Sequence, residues 1–208
     1  MPGLKISFPL VLLMLLLCSC SKAEIVEIIP DSELPVISNT GSFPAYSLAE
    51  LTEASDYIFH GIVAEVRETN LYDGEGYTLP YTPVMLKVLE AYKGDVPDEV
   101  LFKRDGGKTK THILKSSTFE MTEGMEAVFF MNEHGVGFGP YASWIVADDV
   151  VVLNWGVKDK LEPYGVELFE TDIREHLVAE LFLDSTDRVR SCKLSDFADV
   201  VKMLVKTE

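Results

Sequence analysis

Ser55-Asp56-Tyr57-Ile58-Phe59-His60-Gly61-Ile62-Val63-Ala64-Glu65-Val66 carries the clearest strand pattern in the chain. Ile58, Ile62, Ala64 and Val66 recur with a period of two, and the polar residues Glu65, Arg67 and Glu68 thicken toward its end. That period is the signature of a β-strand, whose successive side chains point to opposite faces. The reading is a strand with one buried face. His60 falls in phase with Ile58 and Ile62, so it is a polar group that needs a partner.

Working outward, Thr82 to Tyr92 predicts a second strand, with Val84, Leu86 and Val88 inward and Lys87 outward, ending at Lys93-Gly94. Between the two, Asn70 to Pro80 contains Asp73-Gly74-Glu75-Gly76 and reads as a long turn. Glu99 to Arg104 is a third strand, stopped by Gly106-Gly107. Thr109 to Thr122 is ambiguous, with a brief pairing segment at His112 to Leu114. The apolar run Glu126 to Met131 predicts a central strand buried on both faces. Gly135, Gly137 and Gly139 suit a flexible connection, and Ser143 to Ala147 with Val150 to Asn154 flank Asp148-Asp149 as a hairpin.

Helices bound this strand region. Ser47 and Glu50 form a capping box, placing a hydroxyl and a carboxylate where they satisfy the first free backbone donors of a helix over about 48 to 55. Near the other end, Thr171 is positioned to cap a helix carrying Ile173, Leu177, Val178, Leu181 and Phe182, and Ser195 to cap one carrying Phe197, Val200, Val201 and Leu204. The expected fold is mostly β (α+β): a small five- to six-stranded OB-like barrel over 47–160, with a short N-terminal helix and two C-terminal helices in an extension, 161–208, packed on the barrel.

The strand order resembles bacterial extracytoplasmic domains and the netrin-like OB barrels of tissue inhibitors of metalloproteinases. The carrying residues are Ser55 to Val63, Leu86-Lys87-Val88 leading to Tyr92-Lys93-Gly94, Gly106-Gly107, and Gly124-Met125-Glu126-Ala127-Val128-Phe129-Phe130. The resemblance is one of strand order and turns and implies fold rather than activity.

At the N-terminus, Lys5 precedes an apolar run from Leu10 to Leu17, far shorter than the roughly 20 residues that span a bilayer. It reads as a signal peptide, residues 1–19. The following Leu17-Cys18-Ser19-Cys20 resembles the lipobox of bacterial lipoproteins, which implies cleavage before Cys20 and a diacylglyceryl group on its sulfur. Residues 20–46, punctuated by Pro30, Pro35, Gly41 and Pro44, then read as a lipidated tether. The expected location is the extracytoplasmic face of the cell membrane, with the lipid bilayer as one partner through Cys20. Cys18-Ser19-Cys20 also looks like the Cys-x-Cys start of metalloproteinase inhibitors, but cleavage would remove Cys18 and hold Cys20 at the bilayer.

The chain has 34 acidic and 18 basic residues, for a formal net charge of −16. Such a surface argues against nucleic acid and against adhesion to anionic lipid. With Cys18 removed and Cys20 lipidated, Cys192 stands alone, so a disulfide framework is excluded and a packed or idle thiol is expected.

No reaction motif is present. His60, His112, His134 and His176 are far apart and make no His-x-x-x-His pair, and neither Gly-x-Ser-x-Gly nor Gly-x-x-x-x-Gly-Lys occurs. Asp73 with Glu75, Asp148 with Asp149, and Asp184 with Asp187 lack the spacing of a calcium loop. No catalytic residue, metal or cofactor is expected. Tyr72, Tyr77 and Tyr81 bracket a turn and are the expected ligand surface; Phe138, Tyr141, Trp144 and Trp155 are further aromatics, with both tryptophans read as core. Two function classes follow: a membrane-anchored binding domain for a protein, peptide or envelope polymer, or a hydrolase assembled from remote residues such as His60, His112 and Glu126.

Overall fold

The computed structural model describes residues 30, 33–38, 46–74, 77–116, 119–152, 161–172 and 188–207. The chain divides into Met1–Glu33 and Leu34–Glu208, and every element below belongs to the second unit. In order these are β1 (Val36–Ser38), α1 (Leu48–Ala54), β2 (Tyr57–Val66), β3 (Asn70–Gly74), β4 (Tyr77–Lys93), β5 (Glu99–Asp105), β6 (Gly107–Lys108), β7 (Ile113–Lys115), β8 (Glu126–Met131), β9 (Ser143–Ala147), β10 (Val150–Val152), β11 (Phe169–Asp172), β12 (Arg188–Lys193) and α2 (Leu194–Val205).

The expected barrel is not what forms. Nine strands make one open sheet in the order β11-β12-β10-β9-β8-β2-β4-β3, with β5 also on β4, and a separate three-stranded sheet runs β1-β7-β6. Tyr81 pairs with Asn70 and with Asp105, so β3 and β5 flank β4 on opposite sides. Among the described residues no ladder closes the large sheet: the loop after β8 meets β5 and β8 through the isolated bridges Lys103–Val136 and Met131–Gly137. The physical reason is the 17-residue β4, which serves three strands at once, together with β11 and β12, which extend the sheet where helix was expected. Thr171 accordingly pairs with Val189 in a strand instead of capping a helix. The expected helix through Ile173 to Phe182 lies outside the described residues.

Two apolar cores sandwich the middle of the sheet. β8 sends Ala127, Phe129 and Met131 to one face and Val128 and Phe130 to the other, and all five are buried. On the first face Phe59, Phe102 and Phe129 gather, with Phe59 and Phe129 stacked at 5.4 Å. The second face is covered by α1 and α2, where Phe197 meets Trp144 at 4.8 Å and Phe130 at 6.4 Å. Trp144 Nε1 donates to the Tyr141 carbonyl, satisfying its one polar atom.

β2 departs from the one-sided reading in the same way. Ile58 faces the helix-covered core while Phe59 and Val63 face the other, and Ala64 is exposed. The register shift between Val63 and Glu65, with Ala64 as the extra residue, carries Val66 over to the Val63 side. The capping box does form: Glu50 N donates to Ser47 Oγ at 3.1 Å and Ser47 N to Glu50 Oε2 at 2.7 Å. α2, by contrast, is N-capped by Lys193 without a side-chain bond, not by Ser195. Asp148 and Asp149 take positive φ (50° and 62°) in the β9–β10 turn, as primed hairpin turns require.

Candidate functional site

Asn70 to Pro80, expected as a long turn, is instead most of a hairpin. Tyr72 pairs with Leu79, Asn70 with Tyr81 and Gly74 with Tyr77, leaving only Glu75-Gly76 between the strands. Because β5 joins β4 only from Tyr81 onward, the outer part of β3 and residues 77–80 form a two-stranded arm beyond the ladder.

Strand alternation puts two of the three expected ligand tyrosines on one face of this arm: Tyr72, Leu79 and Tyr81 share it, while the side chain of Tyr77 lies outside the described residues. Tyr72 is 56% exposed, Leu79 46%, and Leu71 on the opposite face 57%. The same face continues onto β4 and β5, where Met85 pairs with Leu101, itself exposed. α1 and α2 cover this face farther along, and here large apolar side chains meet solvent.

An isolated hairpin is marginal in water, so its base must be fixed. Thr82 Oγ1 donates to the Gly106 carbonyl at 2.9 Å and accepts from Arg104 Nη2 at 3.3 Å. With that proton committed, Thr69 Oγ1 donates to Thr82 Oγ1 at 3.2 Å and accepts from Lys108 N at 3.1 Å. Gly107 passes with φ 138° against both threonine hydroxyls, where a Cβ would collide. Arg104 is half-buried, and the loss of water lowers its pKa from the ordinary value, with Glu120 and Asp105 opposing that shift. This polar clamp was missed in the sequence. The alternation Tyr77-x-Leu79-x-Tyr81 beside Asp73-Gly74 was the available signal for the arm.

The other candidates separate. His60 finds its expected partner in Glu126, Nε2 to Oε2 at 3.0 Å, with Glu90 opposite it on β4. Glu90 pairs in turn with Lys202 of α2 at 2.6 Å, and Lys202 lies over the Tyr92 ring. Burial, aided by Glu90, pushes the Tyr92 pKa well above its ordinary value. His112 is hydrogen-bonded to Thr109 and Thr111 in the small-sheet region, and His134 sits exposed beside Glu133. His176, Trp155, Asp184, Asp187 and Cys20 lie outside the described residues, as do the side chains of Asp73 and Glu75. Among the described residues no group of three His, Cys, Asp or Glu side chains is placed to hold a metal ion.

Cys192 is buried on β12 opposite Val151, and burial, with Asp196 nearby, pushes its thiol pKa up to about 12. It is a packed thiol, not a nucleophile. Among the described residues no helix is long and apolar enough to cross a membrane. Compared with known proteins, the chain matches no family model, no curated protein and no solved structure. Fold and geometry therefore define the class directly: an open, helix-backed antiparallel sheet with one projecting apolar arm.

Proposed function

We propose that the protein is a lipid-anchored extracytoplasmic binding domain that engages a protein, peptide or envelope polymer through the β3–β4 arm. The observation that carries this reading is the exposure of Leu71, Tyr72 and Leu79 together on a hairpin held at its base by the Thr69–Thr82–Arg104 clamp. Such side chains each contribute roughly 1.5–3 kcal/mol when a partner buries them. Tyrosine adds a hydrogen-bonding tip at small entropic cost. The binding reading is favoured over a hydrolase because, among the described residues, His60, His112 and His134 each keep separate partners and do not converge with a nucleophile.

Two experiments test it. Replacing Cys20 with Ala should abolish incorporation of labelled lipid, and unchanged labelling would refute the anchor. A photo-crosslinking amino acid at Tyr72 in the full chain, expressed in its native envelope, should give one discrete adduct. The same probe at exposed Glu123 should not; matching adduct patterns from both positions would sink the arm as the binding surface.

A further inference from the structure

The three-stranded sheet carries a second surface. Register sets Val36, Ile113 and Lys108 in one row and Ser38 beside Lys115 in the next, so these five side chains share a face. Val36 is 54% exposed, and Ser38, Lys108 and Lys115 are exposed with it; Lys110 is exposed in the β6–β7 turn. From Gly106 to Phe119 the chain holds Lys108, Lys110, Lys115 and His112 and no Asp or Glu, within a molecule of formal net charge −16.

We propose that this face docks on an anionic phospholipid surface and holds the anchored domain in one orientation. The inference rests on the reading of Cys20 as lipidated. Charge complementarity selects the occupant: ammonium groups flanking exposed Val36 and half-buried Ile113 suit the boundary between phosphate headgroups and acyl chains. The acidic remainder of the molecule is repelled by the same lipid, so this face is the one the field turns inward. Position adds to this, because Val36 follows Cys20 by sixteen residues and begins the first described strand after the anchor. A patch tethered that closely works at a high effective concentration, so modest intrinsic affinity suffices. Each lysine is worth about fivefold in membrane affinity, and three together about a hundredfold, falling as salt screens them. The overall charge, which by itself argues against adhesion to anionic lipid, thus sets orientation instead.

The test uses the full lipidated chain carrying a nitroxide at Ser38→Cys, since Cys192 is buried and Cys20 is blocked by lipid. Co-flotation with phosphatidylcholine vesicles reports the anchor. Adding phosphatidylglycerol should lower the label's access to a water-soluble relaxation agent severalfold. High salt, or the variant Lys108→Glu/Lys110→Glu/Lys115→Glu, should restore that access with unchanged melting. Equal access on both vesicles, in a chain that still co-floats, would overturn the docking and leave the anchor intact. A chain that fails to co-float with neutral vesicles would overturn the anchor, and the docking with it.

Discussion

β4 begins in solvent and ends in the core, and its two halves invite comparison. From Val84 to Tyr92 it pairs with β2, and as far as Lys87 with β5 as well, with Val84, Leu86 and Tyr92 buried; from Tyr77 to Leu79 it pairs only with β3 and carries exposed Leu79. Both halves alternate apolar side chains, so alternation alone does not bury a strand. What differs is the cover: β2, β8 and β9 have a packed layer on each face, whereas Leu71, Tyr72 and Leu79 of the arm face solvent. Leu71, Tyr72 and Leu79 therefore add little to the stability of the fold, which leaves them available for a partner.

The sharpest way to break this contrast is in the buried half. Phe129 stacks on Phe59 and touches Phe102, so Phe129→Ala should cost about 3–5 kcal/mol in denaturant unfolding. Against a total stability of roughly 5–15 kcal/mol, that is a large share.

The next effect is an alkaline one. The Cys192 thiol is raised from its ordinary 9.0 to about 12 in the folded chain. The folded state therefore keeps the proton longer than the unfolded state does. Stability from this group is intact below pH 9 and falls between about pH 9 and 12, by on the order of a few kcal/mol. Cys192→Ala should flatten that part of the pH profile of the urea midpoint, although Tyr92, whose pKa is also raised, will leave a residual slope.

A smaller effect belongs to the capping box. Ser47→Ala removes the hydroxyl that accepts from Glu50 N and should cost about 1 kcal/mol, read as a shift in thermal midpoint. A loss near zero would mean that α1 is held by its buried Leu48 and Leu51 alone.

The same contrast explains what the sequence reveals. β8 is legible because its five consecutive buried apolar residues leave no other reading, and the Ser47–Glu50 box because its chemistry is local. β2 is legible as a strand but not in its phase, since the bulges near His60 and Val63 depend on pairing with β4. The arm hides behind Asp73-Gly74 and Pro80, turn formers that here sit within or beside paired strands. The open sheet hides behind β11 and β12, whose Phe169-Glu170-Thr171-Asp172 and Arg188-Val189-Arg190-Ser191-Cys192-Lys193 are too polar to announce strands. Of the site, the tyrosines are legible by type and spacing. The Thr69–Thr82–Arg104 clamp is not, because it joins residues brought together only by the ladder.

The central claim is that the arm binds and does not stabilise. The double variant Tyr72→Ser/Leu79→Ser in the full chain tests it most directly, with thermal midpoint and crosslink-verified partner capture measured on the same preparation. Exposed substitutions of this kind shift stability by no more than about 0.5 kcal/mol. The account predicts an essentially unchanged midpoint and loss of the partner. A variant that keeps its partner, or that melts as early as Phe129→Ala, would contradict it.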